Sequence, residues 1–129
     1  MKTYSKYIRV KALDLDDLDH VNNVRYVQWI QDISKEHWEH KAPQEVKDAV
    51  MWVVLSHHIQ YKAPALLHDP ITITTHIAET KGAKSIRVVE MRHSVTNVLF
   101  VRSTTEWCLL NKENSRPMRV SARIQKIFN

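Results

Sequence analysis

The chain has 129 residues, enough for one domain with a real core, so a single domain over residues 1–129 is expected. Its 19 Lys plus Arg against 14 Asp plus Glu give a formal charge of +5, but the basic residues are scattered, which argues against a nucleic-acid surface and fits mild attraction for an anionic ligand. No apolar run approaches the roughly 20 residues that a bilayer span needs. The first residues are polar, and the single Cys108 allows no internal disulfide, so a cytoplasmic protein with Cys108 as a small apolar strand residue is expected.

Tyr4 to Leu13 holds β-compatible Tyr7, Ile8 and Val10 between Lys and Arg, which predicts a first strand exposed on one side. An acidic turn follows, with Asp14, Asp16, Asp17 and Asp19, then His20 and the Asn22-Asn23 pair. Beyond Asn23, the residues Val24, Val27, Ile30, Ile33 and then His37 or Trp38 recur at three-to-four spacing, predicting one long helix that ends near His40. Pro43 breaks it, and Gln44 to Ala49 suits a short helical turn.

The period then changes to two. In Met51 to Tyr61 the odd positions Val53, Leu55, Ile59 and Tyr61 are apolar and read as the core face, while the even ones run from Trp52 and Val54 to polar Ser56, His58 and Gln60. After a turn at Lys62–Ala65, Ile71, Ile73 and Ile77 alternate with Thr72, Thr74 and His76. Gly82, the only glycine, suits the next turn. Ser85–Val95 and Val98–Leu110 read as a hairpin about Thr96-Asn97, with Leu99, Val101, Trp107 and Leu109 on one face. Past a polar loop, Val120–Phe128 fits either a last strand or a short helix. This order is α+β, an antiparallel sheet with one long helix laid against it. A single such layer leaves a face around Trp52, Val54 and His58 poorly covered, which predicts a homodimer or homotetramer.

The chemistry concentrates at the helix start. A helix N-terminus carries free N–H groups and partial positive charge, so it suits a carbonyl oxygen on which negative charge develops. Asp16 and His20 lie beside it, Asn22 or Asn23 is its cap, and Asp14, Asp17 and Asp19 read as solvated turn carboxylates. An EF-hand loop would need an oxygen ligand at Leu18 and a glycine at Asp19. His57 and His58 are adjacent on a strand and point to opposite faces, so no metal site is expected and no cofactor is implied. One glycine cannot build a phosphate-binding loop, a dinucleotide fingerprint or a serine-nucleophile elbow.

The run Asp14-Leu15-Asp16-x-x-x-His20-Val21-Asn22-Asn23-x-x-Tyr26 resembles the opening motif of the hotdog-fold acyl thioesterases, the group that contains 4-hydroxybenzoyl-CoA thioesterase and the plant acyl-ACP thioesterases. The order of elements, the His58-Ile59-Gln60-Tyr61-Lys62 strand followed by Ala-Pro, Asp69 before the next strand and Lys84-Ser85 opening the following one extend the likeness over nearly the whole chain. The resemblance implies a sheet wrapped around the helix and sites formed between paired subunits. It further implies hydrolysis of an acyl-CoA or acyl-ACP thioester, with Asp16 as catalytic aspartate, His20 beside it and the amides near Asn23, Val24 and Arg25 holding the thioester oxygen. Asn22, Tyr26, His58, Gln60, Lys62, Lys84 and Ser85 become substrate-binding candidates, with Lys62, Lys84, Arg87 and Arg116 expected as a basic rim for phosphate or carrier. Plant enzymes of the group carry Asn where this chain has Leu18 and Glu where it has Ala63-Pro64, so Asp16 and His20, aided by His58 or Gln60, carry the implied chemistry. A non-catalytic acyl-thioester binder and a hydratase or dehydratase are the alternatives.

Overall fold

A computed structural model of the protein describes residues 2–129. Strand β1 (Tyr4–Arg9) leads through a short 3-10 turn (Ala12–Asp14) to helix α1 (Asn23–Lys41) and helix α2 (Gln44–Ala49). Strands β2 (Val50–Tyr61), β3 (Pro70–Lys81), β4 (Lys84–His93) and β5 (Leu99–Asn111) follow, and helix α3 (Ala122–Ile127) ends the chain. The five strands form one antiparallel sheet in the order β1-β3-β4-β5-β2, so β1 and β2 are its edges.

Helix α1 starts where Asn22 caps it, Oδ1 accepting from the Val24 amide at 3.0 Å, and it ends one residue before Ala42-Pro43. Its buried stripe is Tyr26, Trp29, Ile30, Ile33, Ser34 and His37, a three-to-four repeat. Val24, expected on that stripe, is 70% exposed; the large rings of Tyr26 and Trp29 turn the helix so that Val24 faces outward.

Strand β2 departs from the alternation expected of it. Its register with β5 slips between Val54 and Ser56, leaving Leu55 as an extra residue, and such a bulge exchanges the two faces. Before it the helix-facing residues are even, with Trp52 packing on Val46 and Leu109; after it they are odd, with His57 reaching Gln31, Ile59 in the core and the Tyr61 ring 5.8 Å from that of Tyr26. Val53 and Leu55 therefore face away from the helix, contrary to the expectation of one unbroken odd face.

The core divides in two. One cluster, around Ile30, Ile33, Ile71, Ile73, Met91 and Val101, lies under the first half of α1. The other joins Val46, Val50, Leu109, Val120 and Ile124 and draws in Trp38 and Trp52, with α2 and α3 closing that end. The tail is thus a short helix and not a strand, started by Ser121, whose Oγ accepts from the Ile124 amide at 3.2 Å. Cys108 is free and buried.

Candidate active site

The loop between β1 and α1 is built on two carboxylates with different duties. Asp14, expected in solvent, is 3% exposed: Oδ2 accepts from the Lys11 amide at 2.8 Å and Oδ1 from Arg25 Nε at 2.8 Å. Its own carbonyl accepts from the Asn22 amide at 2.8 Å, so Asp14 clamps the loop to the first turn of α1. A buried carboxylate is retained only where charge and hydrogen bonds compensate it, and here both do.

Asp16 is half-buried and heads the next turn. Its Oδ1 accepts from the amides of Leu18 at 2.9 Å and His20 at 3.2 Å, while its backbone amide donates to the His20 carbonyl at 2.7 Å. Asp19 takes φ of 59° to close the turn, a conformation that Asp adopts more readily than most residues. Oδ2 of Asp16 makes no hydrogen bond to the described residues and is not enclosed, so one oxygen fixes the carboxylate and the other is free to react.

The segment after β2 anchors the far side of this loop. Val21 donates to the Ala65 carbonyl at 3.0 Å, His20 pairs with Leu66 as an isolated antiparallel bridge, and the Tyr26 hydroxyl accepts from the Ala65 amide at 3.0 Å. Asp69 steadies that segment through the Leu66 amide at 2.9 Å. Burial pushes the Tyr26 phenol up, with the charges of Asp69 and Asp16 acting the same way, so it stays neutral. Asp16, His20, Asn22, Asn23 and Tyr26 are therefore gathered at one end of the molecule.

The first-turn amides are not all available. Val24, expected as an oxyanion donor, already donates to Asn22 Oδ1, and Arg25 donates to the Asn22 carbonyl at 2.9 Å. The Asn23 amide has no partner among the described residues and remains the open donor at this helix end.

The other expected contacts lie elsewhere. His58 and Gln60 are exposed on the outer face of β2, because the bulge turns odd residues inward. Lys62 lies beside Phe100 and Lys84 is opposite Cys108, so along β5 they stand roughly 25 Å apart at the usual rise per strand residue. Lys84 lies 3.9 Å from Glu106, and Ser85 is buried at the end of the sheet away from Asp16. Arg87 is not on a rim: it is 4% exposed and faces α1. The expected basic group is thus not assembled within one protomer. Sequence reasoning missed Asp14 as the clamp, because its partner Arg25 is eleven residues further along the chain and meets it only in the fold; of the amides expected at the helix start, Asn23 is the one left open. Among the described residues no three His, Cys, Asp or Glu side chains gather closely enough for a metal ion.

An antiparallel sheet wrapped on one long helix is the hotdog architecture of α+β proteins. Residues 10–128 match the family model described as the thioesterase-like superfamily, and the chain belongs to that superfamily. It is similar in fold to YbaW, a probable thioesterase from Escherichia coli, with TM-score 0.87 at 19% identity over 95% of this chain and 94% of that one. A mutant 4-hydroxybenzoyl-CoA thioesterase complexed with 4-hydroxybenzoyl-CoA gives TM-score 0.88 at 14% identity over 100% of both chains. A 1,4-dihydroxy-2-naphthoyl-CoA thioesterase from Synechocystis gives 0.84 at 14% identity over 98% and 96%. A comparison with curated protein sequences gave no match. The family supports thioester hydrolysis as the class of chemistry.

Proposed function

We propose that this protein is an acyl thioesterase that hydrolyses an acyl-CoA or acyl-ACP to the free acid, with Asp16 as its catalytic carboxylate. The observation that carries this reading is the split within Asp16: Oδ1 is pinned by two amides, and Oδ2 is free beside a helix N-terminus whose Asn23 amide is open. A carboxylate so placed removes the proton of an attacking water, or attacks the thioester carbon itself. In the first route the new C–O bond forms, the carbonyl oxygen gains negative charge against the Asn23 amide and the positive helix end, and the C–S bond then breaks. The proton taken by Asp16 passes to the departing thiolate. His20, held to Asp16 through the backbone, orients water or substrate.

The reading includes a homodimer, or a tetramer of such pairs. Leu13, Leu18, Val24, Leu66 and Leu67 are 71%, 74%, 70%, 48% and 40% exposed and all belong to the segments that frame Asp16, an apolar surround that a second copy would cover. The test is hydrolysis of an acyl-CoA panel by wild type and Asp16→Asn. Turnover by wild type that collapses in the variant is expected; a wild type that binds an acyl thioester and hydrolyses none would establish the non-catalytic binder instead.

A further inference from the structure

Between the two apolar clusters the helix and sheet enclose a polar band, and its centre is a cation without a counter-ion. Arg87 is 4% exposed, and both of its protein hydrogen bonds leave from Nη1, to His37 Nδ1 at 2.9 Å and Thr75 Oγ1 at 3.0 Å. The Phe128 ring lies against the guanidinium, its centroid 5.1 Å from Cζ. Neither acceptor is charged, since burial and the charge of Arg87 pull the His37 imidazole down to about 4, while the guanidinium, lowered by burial to about 10, stays cationic at neutral pH. Among the described residues no carboxylate pairs with Arg87, and its Nε and Nη2 have no acceptor yet are not enclosed. A buried charge is retained at this expense in stability only where something compensates it.

A cavity of about 520 Å³ opens beside that group, between α1 and the β2 side of the sheet, within the range of small-molecule sites. Arg87, Ser85, Gln31, Lys35, Trp52 and Trp107 are on its wall. Its two carboxylates are engaged: Asp32 accepts from Gln28 at 2.8 Å and Glu39 from Lys47 at 3.3 Å. Arg87, Lys35 and Lys112 outnumber Asp32 and Glu39 on the wall, which leaves the lining net positive. The indole Nε1 atoms of Trp52 and Trp107, both residues of the cavity wall, are buried with no partner.

We propose that this cavity binds a carboxylate, with Arg87 as its counter-ion. The Nε–H and Nη2–H edge of the guanidinium, left unused by the protein, is the planar fork that takes two carboxylate oxygens. The carboxylate belongs either to the far end of the substrate's acyl group, which rests on the thioesterase reading above, or to a separate organic acid, which does not.

The full chain is titrated with α,ω-dicarboxylic acids and with the matched neutral diamides, following calorimetry, thermal denaturation and the Arg87 Nε–H NMR resonance. Saturable binding of a diacid, a moved Nε–H resonance and no response to the diamide are expected. Arg87→Met should weaken diacid binding at least about tenfold, the loss of a hydrogen bond to a charged group, and Arg87→Lys should restore part of it. No saturable diacid binding by wild type, or equal binding of diacid and diamide, overturns the proposal without any variant having to fold. The source is separated by kcat/KM for an ω-carboxyacyl-CoA and a methyl-terminated acyl-CoA of equal length. A loss in Arg87→Met confined to the former assigns the carboxylate to the substrate; unchanged ratios with diacid binding intact assign it to a separate acid. A protein that binds diacids but cleaves no thioester refutes only the thioesterase reading.

Discussion

Replacing Asp16 by Asn and by Ala separates its two duties. Asn keeps a side-chain oxygen where Oδ1 accepts from Leu18 at 2.9 Å and His20 at 3.2 Å, so the turn should survive with stability changed by less than about 1 kcal/mol. It removes the charge, and loss of a general base lowers kcat by roughly 10² to 10⁴, more if Asp16 is the nucleophile. Ala loses both hydrogen bonds, each worth about 0.5–1.5 kcal/mol, so it should lose about 1–3 kcal/mol of stability along with activity. For a chain of this length that is a fall in Tm of roughly 3–10 °C. Thiol release from an acyl-CoA gives kcat and KM, and calorimetric melting of the same samples gives Tm. An Asn variant with kcat near that of wild type refutes the catalytic role, and an Asn variant as destabilised as the Ala variant refutes the assignment of Oδ1 to the turn.

Asp14→Ala should destabilise without the charge loss at Asp16 as cause: it strands Arg25 and the Lys11 amide, and with Arg25 partly in solvent the loss should be about 1–3 kcal/mol by urea denaturation. A midpoint unchanged from wild type would show that the clamp is idle. Tyr26→Phe removes the acceptor of the buried Ala65 amide and should cost about 1–3 kcal/mol, read from Tm. Because the folded His37 has its pKa lowered from 6.5 to about 4, the unfolded chain binds the extra proton between those values. Its contribution of about 3 kcal/mol is present above pH 6.5 and is lost as pH falls towards 4. His37→Asn, which keeps an acceptor for Arg87, should flatten that part of the stability profile, and an unaltered slope would count against it. Light scattering at micromolar concentration should give at least twice the monomer mass, and a monomer would remove the second copy from the site.

Much of the architecture is local and was legible in the sequence. The helix and its Ile30, Ile33 and His37 positions, the asparagine cap, the Pro43 break and the two-residue period of Ile71 and Ile73 each depend on neighbours a few residues away and appear where the pattern puts them, while the start of the helix stripe moves from Val24 and Val27 to Tyr26 and Trp29. The DxD-x3-HVNN spacing likewise marked the loop and helix start that bring Asp16, His20 and Asn23 together. What the sequence left open depended on partners far along the chain. The Leu55 bulge arises from pairing β2 with β5, some fifty residues away, and it alone sends His57 inward and His58 and Gln60 outward. Val120–Phe128 fits two conformations until the ends of β2 and β5 offer Val50 and Leu109 as a surface to cover, and the helix then places Val120 and Ile124 on it. Asp14 reads as a solvated turn residue until Arg25 folds back on it, and Arg87 as a surface cation until β4 becomes the central strand under α1 and carries it into the interior. Burial and ion pairing are properties of what surrounds a side chain in space, so only the folded arrangement decided which charges were clamps and which faced a cavity.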